Sequence, residues 1–102
     1  MVTKAEKSWM DSAARIGCIV CLNERFGSTP AELHHIRDGY GRGQRAPHIE
    51  TIPLCSIHHR QGDGTDKFRG QIGYHFNPAE FEKRYGMERK LLEQVRSKIN
   101  AI

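Results

Sequence analysis

No segment of this 102-residue chain approaches the ~18 consecutive apolar residues that a membrane span requires. The N-terminus, Met1-Val2-Thr3-Lys4-Ala5-Glu6-Lys7, is polar and lacks the apolar stretch of a secretory signal. Internal repeats and low-complexity segments are missing as well. These absences point to a cytoplasmic protein with no membrane partner. Cysteine is scarce and odd in number, three in all. An odd set cannot complete a disulfide framework, and in a reducing compartment a CxxC binds metal or does redox chemistry instead. Acidic residues are sparse in one place. Between Ile36 and Ile49 the only acid is Asp38, against Arg37, Arg42 and Arg45 in a glycine-rich setting. With a net charge of +4, such a loop suits a phosphate backbone, which arginines and backbone amides can follow. The plainer reading is a solvated basic loop.

What the chain does hold is concentrated. Its three cysteines and six histidines all fall within a 58-residue window, Cys18 to His75. They come in groups: Cys18-Ile-Val-Cys21, His34-His35, and Cys55-Ser-Ile-His58-His59. A CxxC lets both sulfurs reach one ion from a single turn, and Cys55-x-x-His58 supplies the other half of a tetrahedral Cys3His zinc cage. A complete cage of four ligands is structural, because no coordination position stays open. The alternative treats the cysteines as small buried hydrophobes. A metal staple would help here, since a chain of this size buries only about two-thirds of its unfolded surface.

Local signals set the organisation. Thr3 to Ile16 reads as a helix with Thr3 as cap, Glu6 three residues on, Trp9, Ala13 and Ile16 on one face, and Gly17 as its stop. Cys18 to Cys21 is expected to form a tight turn. Glu32 to Ile36 suits a strand, and Ile49 to Leu54 a second, with Pro53 limiting it to an edge or an end. A short helix is expected from Cys55 to about Gln61, ended by Gly62-Asp63-Gly64, followed by a loop to about Phe76. Asn77-Pro78-Ala79-Glu80 opens a helix that runs to Tyr85 and stops at Gly86. Glu88 to Asn100 is a final amphipathic helix striped by Leu91, Leu92, Val95 and Ile99. One domain, 1–102, is expected.

The histidines outside the cage carry the functional argument. On a strand, His34 and His35 point to opposite faces, whereas at a strand end or bulge both can line one site. One then binds a metal while the other acts as general base. His59 follows His58 on the same short helix, turned by about 100°, and can face the hairpin instead of the cage. A helix histidine facing a histidine pair makes a second, open metal site, suited to a divalent ion that also holds a phosphate. His75 is a candidate third ligand, with Asp63 its rival. His48 and Glu50 are candidates to orient the base.

With those residues in view, the pattern resembles the HNH endonucleases, whose fold is ββα-metal. The shared features are Cys18-Ile-Val-Cys21, Leu33-His34-His35-Ile36 and Pro53-Leu54-Cys55-Ser56-Ile57-His58-His59. From Leu33 to Gly86 the chain is more similar still to the phage recombination-enhancement, RecA-dependent nucleases. That similarity lies in His35-Ile36-Arg37, Thr51-Ile52-Pro53-Leu54-Cys55, His58-His59-Arg60, His75 after a glycine-rich loop, and Phe81-Glu82-x-x-Tyr85-Gly86. Together the motifs cover roughly residues 18–86. The resemblance implies that His34, His59 and His75 hold the catalytic metal, that His35 is the base, and that Cys18, Cys21, Cys55 and His58 bind the structural zinc. The Asn that names HNH is missing; Glu50 stands five residues before Cys55, with His48 nearby. The phage nuclease also has a long basic N-terminal extension without a counterpart in this sequence.

The resulting expectation is an α+β, ββα-metal domain with a CxxC…CxxH zinc site, flanked by one N-terminal and two C-terminal helices. It would be a phage- or prophage-derived endonuclease that hydrolyses DNA phosphodiester bonds with Mg, Mn or Zn and acts in recombination or DNA processing. Arg37, Arg42, Arg45 and Arg60 would hold the DNA backbone, and a recombinase filament is a candidate partner. One rival is a non-catalytic zinc-stabilised nucleic-acid-binding module, which has no need of His35 or His59. A second is a protein-interaction adaptor built on the C-terminal helices.

Overall fold

The computed structural model describes residues 2–100; Met1, Ala101 and Ile102 of the expected domain lie outside the described residues. Thr3 caps the first helix, α1 (Lys4–Ile16). Its hydroxyl accepts from the Glu6 amide at 3.1 Å, and the Glu6 carboxylate accepts from the Thr3 amide at 2.9 Å. Such a reciprocal capping box stabilises a helix by about 1 kcal/mol. Ala13 is buried, and Trp9 and Ile16 pack against the core from the same face. The Trp9 indole donates to the Thr51 hydroxyl at 3.0 Å and so ties α1 to the sheet.

The Cys18–Cys21 segment is not a bare tight turn. Cys18 caps a short helix, α2 (Ile19–Asn23), and its Sγ accepts from the Cys21 amide at 3.4 Å. The apolar Ile19 and Val20 between the cysteines explain this, since both are fully buried and a helical turn carries them into the core.

Strands β1 (Glu32–His35) and β2 (Thr51–Leu54) pair antiparallel in a two-stranded sheet, with Leu33 opposite Pro53, His34 opposite Ile52 and His35 opposite Thr51. Both are shorter than expected at the end that the glycine-rich loop connects. Ile49 and Glu50 belong to a turn in which the Glu50 amide bonds the Pro47 carbonyl at 2.8 Å. Pro53 is tolerated because each strand of a two-stranded sheet is an edge.

After β2 the chain forms a π-helical turn, Ile57–Gln61, where an ordinary helix start is expected; the Gly62 amide closes it on the Ile57 carbonyl at 2.9 Å. Gly73 then runs alongside it. A side chain at Gly73 would meet the Ile57 carbonyl oxygen at 2.8 Å and the Arg60 amide nitrogen at 3.0 Å. That close approach lets the Tyr74 amide bond the His58 carbonyl at 2.8 Å and the His75 amide bond the His59 carbonyl at 3.0 Å. A short 3-10 turn, Asp66–Phe68, interrupts the loop between.

Asn77 caps α3 (Pro78–Tyr85) by accepting from the Glu80 amide at 3.1 Å, and Gly86 ends it. The last helix, α4 (Glu88–Asn100), buries Leu91, Leu92 and Val95. They join Phe81, Ile19, Ile36, Ile52 and Leu54 in one cluster, each worth about 1.5–3 kcal/mol in surface removed from water. No helix among the described residues is long and apolar enough to cross a membrane.

Candidate metal centres

The capped turn of α2 and the β2–π junction bring Cys18, Cys21, Cys55 and His58 into one group. His58 Nδ1 lies 3.6, 3.5 and 3.3 Å from the sulfurs of Cys18, Cys21 and Cys55, and the Cys21 and Cys55 sulfurs are 3.8 Å apart. A tetrahedron with ordinary Zn–S and Zn–N bonds has edges of about 3.6 Å for S···N and about 3.8 Å for S···S. The group can therefore hold a metal such as zinc without rearrangement. The Cys18 thiol first and His58 second stabilise the Cys55 thiolate and hold Cys55 down to about 3; the bond to Cys55 first, then burial, push Cys18 up. Such a set favours a cation. The far nitrogen of His58 meets the Gln71 side-chain oxygen Oε1 at 2.9 Å, and the Tyr85 hydroxyl donates to the same oxygen at 2.7 Å. Ring orientation is thus set from outside the cage.

A second group lies across the π-helical turn. One ring nitrogen from each of His34, His59 and His75 lies within 4.8 Å of the others. Ring centroids stand 5.1 Å apart for His34 and His59, 5.2 Å for His34 and His75, and 4.9 Å for His59 and His75. His34 is buried, His59 half-buried and His75 exposed, so the group opens to solvent on the His75 side. Burial first, then His34 and His59, lower the pKa of His75 and keep its imidazole neutral. An imidazole group with an open side suits a divalent metal. Asp63 stands elsewhere, accepting from the hydroxyl and amide of Thr65 at 2.6 and 3.0 Å.

Two carboxylates touch this group. Glu88 Oε2 lies 2.5 Å from His34 Nε2, and Glu32 Oε1 lies 2.8 Å from His59 Nδ1. Glu88 also accepts from the amides of Arg37 at 2.9 Å and Asp38 at 3.0 Å and from the Tyr74 hydroxyl at 3.1 Å. Burial opposes its ionisation, but these donors outweigh it and lower its pKa. In the sequence Glu88 is visible only as the first residue of the last helix. Its role depends on α4 packing on β2 and carrying its first residue to His34, which no local pattern announces.

His35 belongs to a third set. The strand is regular, so its ring points away from its neighbour's and meets His48 Nδ1 through Nε2 at 2.9 Å, while Arg45 Nη2 stands 3.3 Å from its Nδ1. Burial, then Arg45, then His48 push the pKa of His35 down to about 4. Glu50 does not reach it; that carboxylate accepts from Tyr40 at 2.6 Å and lies 3.8 Å from Arg89. Among the expected phosphate contacts, Arg42 and Arg45 are exposed on the loop. Arg37 donates to the Gln44 carbonyl at 3.4 Å. Arg60 is already paired with Glu32 at 2.8 Å.

The model of the family described as "Recombination enhancement, RecA-dependent nuclease" matches residues 2–100, and the chain belongs to that family. No curated protein matches it.

Proposed function

We propose that this member of the recombination-enhancement, RecA-dependent nuclease family is a metal-dependent endonuclease of the HNH, ββα-metal type that hydrolyses DNA phosphodiester bonds. The observation that carries this reading is the convergence of the His34, His59 and His75 nitrogens within 4.8 Å, one residue along the strand from His35. A module that only bound nucleic acid through its zinc cage would leave that group without a role.

In this reading Cys18, Cys21, Cys55 and His58 hold a structural zinc, and His34, His59 and His75 hold a divalent cation. When bound, that cation supplies electrostatic stabilisation of the phosphoryl oxygens and of the leaving 3′-oxygen. His35 is the general base. Held well below neutrality by burial and Arg45, its imidazole is unprotonated at pH 7 and accepts a proton from the attacking water. That requires a free nitrogen. Arg45 donates to Nδ1 at 3.3 Å, so Nε2 keeps the proton and donates to His48. A substrate phosphate draws the exposed Arg45 guanidinium to itself, because a charge-assisted bond to phosphate exceeds one to imidazole, and so uncovers Nδ1. His48 takes the orienting part that Asn plays in the HNH signature. Arg37 and Arg42 hold the flanking backbone with little sequence preference, and a RecA filament on DNA is the partner.

The test is plasmid nicking with magnesium or manganese by wild type and His35→Ala, with zinc content and melting temperature measured alongside. Nicking by wild type alone, with both proteins equally folded, is expected. Equal nicking by both would remove His35 from the mechanism, and no nicking by wild type in the presence of RecA-coated DNA would remove the nuclease reading.

A further inference from the structure

Glu88 is 1% exposed, yet it is not among the three residues whose nitrogens converge. A carboxylate offers about four acceptor positions, and Glu88 has four donors: His34 Nε2, the Arg37 and Asp38 amides, and the Tyr74 hydroxyl. None is left for an ion. A carboxylate can only accept, so His34 donates to it through Nε2–H, and Nδ1 is the ring nitrogen left to offer a lone pair to a metal. Glu32 does the same for His59. It accepts from His59 Nδ1 at 2.8 Å, which leaves the lone pair of His59 on Nε2. Arg60 holds Glu32 in place through contacts of 3.1 and 2.8 Å.

We propose that Glu88 and Glu32 are paired positioning residues that lock His34 and His59 in opposite tautomers, so that the open site presents His34 Nδ1 and His59 Nε2 to its metal. The inference rests on the metal-site reading of His34, His59 and His75 given above. It also assigns a purpose to the arginine expected on DNA: Arg60 holds Glu32 rather than a phosphate. His75 has no carboxylate partner among the described residues, so its ring is set by its own backbone tether and by the bound ion. Such carboxylate–histidine pairs fix ring orientation and raise ligand basicity, and their removal costs about 10–100-fold in metal affinity.

Two measurements on the full chain test this. Long-range proton–nitrogen NMR of wild type with zinc only in the cysteine cage should show His34 as the Nε2–H tautomer and His59 as the Nδ1–H tautomer. The reverse tautomer at either residue would overturn the proposal. Titration of manganese into Glu88→Gln and Glu32→Gln, with cage zinc and melting temperature recorded, should show the second metal bound about 10–100-fold more weakly in each. If Glu88→Gln does not fold, Glu32→Gln on the half-buried partner decides alone. Affinity equal to wild type in folded variants would overturn the proposal while leaving the metal site intact. A wild-type protein that takes up no second metal would instead overturn the reading of the site itself, and this proposal with it.

Discussion

His34 and His35 are adjacent on one strand, yet their rings enter different groups: His34 meets Glu88 at 2.5 Å, and His35 meets His48 at 2.9 Å. Regular alternation along β1 separates them, with no bulge to bring them together. In the proposed mechanism that separation divides the labour, so that the ligand is buried and carboxylate-bound while the base lies half-buried under an exposed arginine head.

Replacing His35 by Ala is expected to lower the nicking rate by about 10²–10⁴-fold, the ordinary worth of a positioned general base. His48→Ala should produce a smaller loss, since the base keeps its chemistry and loses only its tether. Rates on supercoiled plasmid check both. A larger loss in His48→Ala than in His35→Ala would reverse the assigned roles.

Stripping the cage is expected to unfold the protein. Structural zinc contributes about 10–16 kcal/mol in zinc-finger peptides, as much as the whole net stability of a typical domain, about 5–15 kcal/mol. Cys55→Ala or a strong chelator should therefore abolish the cooperative melt seen by far-ultraviolet circular dichroism. Because Cys18, Cys21 and His58, whose pKa values are raised, must shed their protons to bind, zinc affinity should fall as pH is lowered. A melt unchanged by chelation would show that the apolar core suffices alone.

Gly73→Ala is expected to destabilise by about 1–3 kcal/mol, the usual cost of forcing extra volume into a packed region. The new Cβ would lie 2.8 Å from the Ile57 carbonyl oxygen and 3.0 Å from the Arg60 nitrogen, both backbone atoms that cannot swing aside. Because the same approach carries His75 to His59, second-metal affinity should fall together with the melting temperature. Calorimetry and manganese titration read the two effects, and a stability equal to wild type would contradict the packing.

Removing the Arg45 charge should weaken DNA binding and flatten its salt dependence. One lost phosphate contact reduces the slope of log affinity against log salt by about 0.9. Arg60→Ala should leave that slope unchanged, because Glu32 already occupies its guanidinium at 2.8 Å. Binding to a duplex over a range of salt, with calcium to prevent cleavage, separates the two. Equal slopes for wild type and Arg45→Ala would place Arg45 away from the backbone.

The elements and the cage were legible in the sequence because their signals are local. Thr3 with Glu6, Asn77 with Pro78 and Glu80, and the stripe Leu91, Leu92, Val95 and Ile99 each satisfy or bury groups within a few turns of themselves. Cys18, Cys21, Cys55 and His58 advertise their cage through spacing alone, since two ligands per turn is a property of the chain. The strand boundaries and the π-helical turn were less legible. They follow from where the tertiary hydrogen bonds fall, as when Gly73, Tyr74 and His75 lie along the turn and take up its carbonyls.

Partnerships across the chain were decided by the tertiary structure. The ring of His34 has a buried carboxylate behind it only because α4 packs on β2 and brings Glu88 to it from 54 residues away in sequence. Arg60 has the same charge as Arg45, but its position opposite Glu32 commits its guanidinium to that carboxylate. Residue type and spacing determine which atoms are able to bind a metal, move a proton or contact a phosphate. Which of them do so depends on the groups that packing sets beside them, because a ring nitrogen or guanidinium already held by a carboxylate is no longer free for another partner.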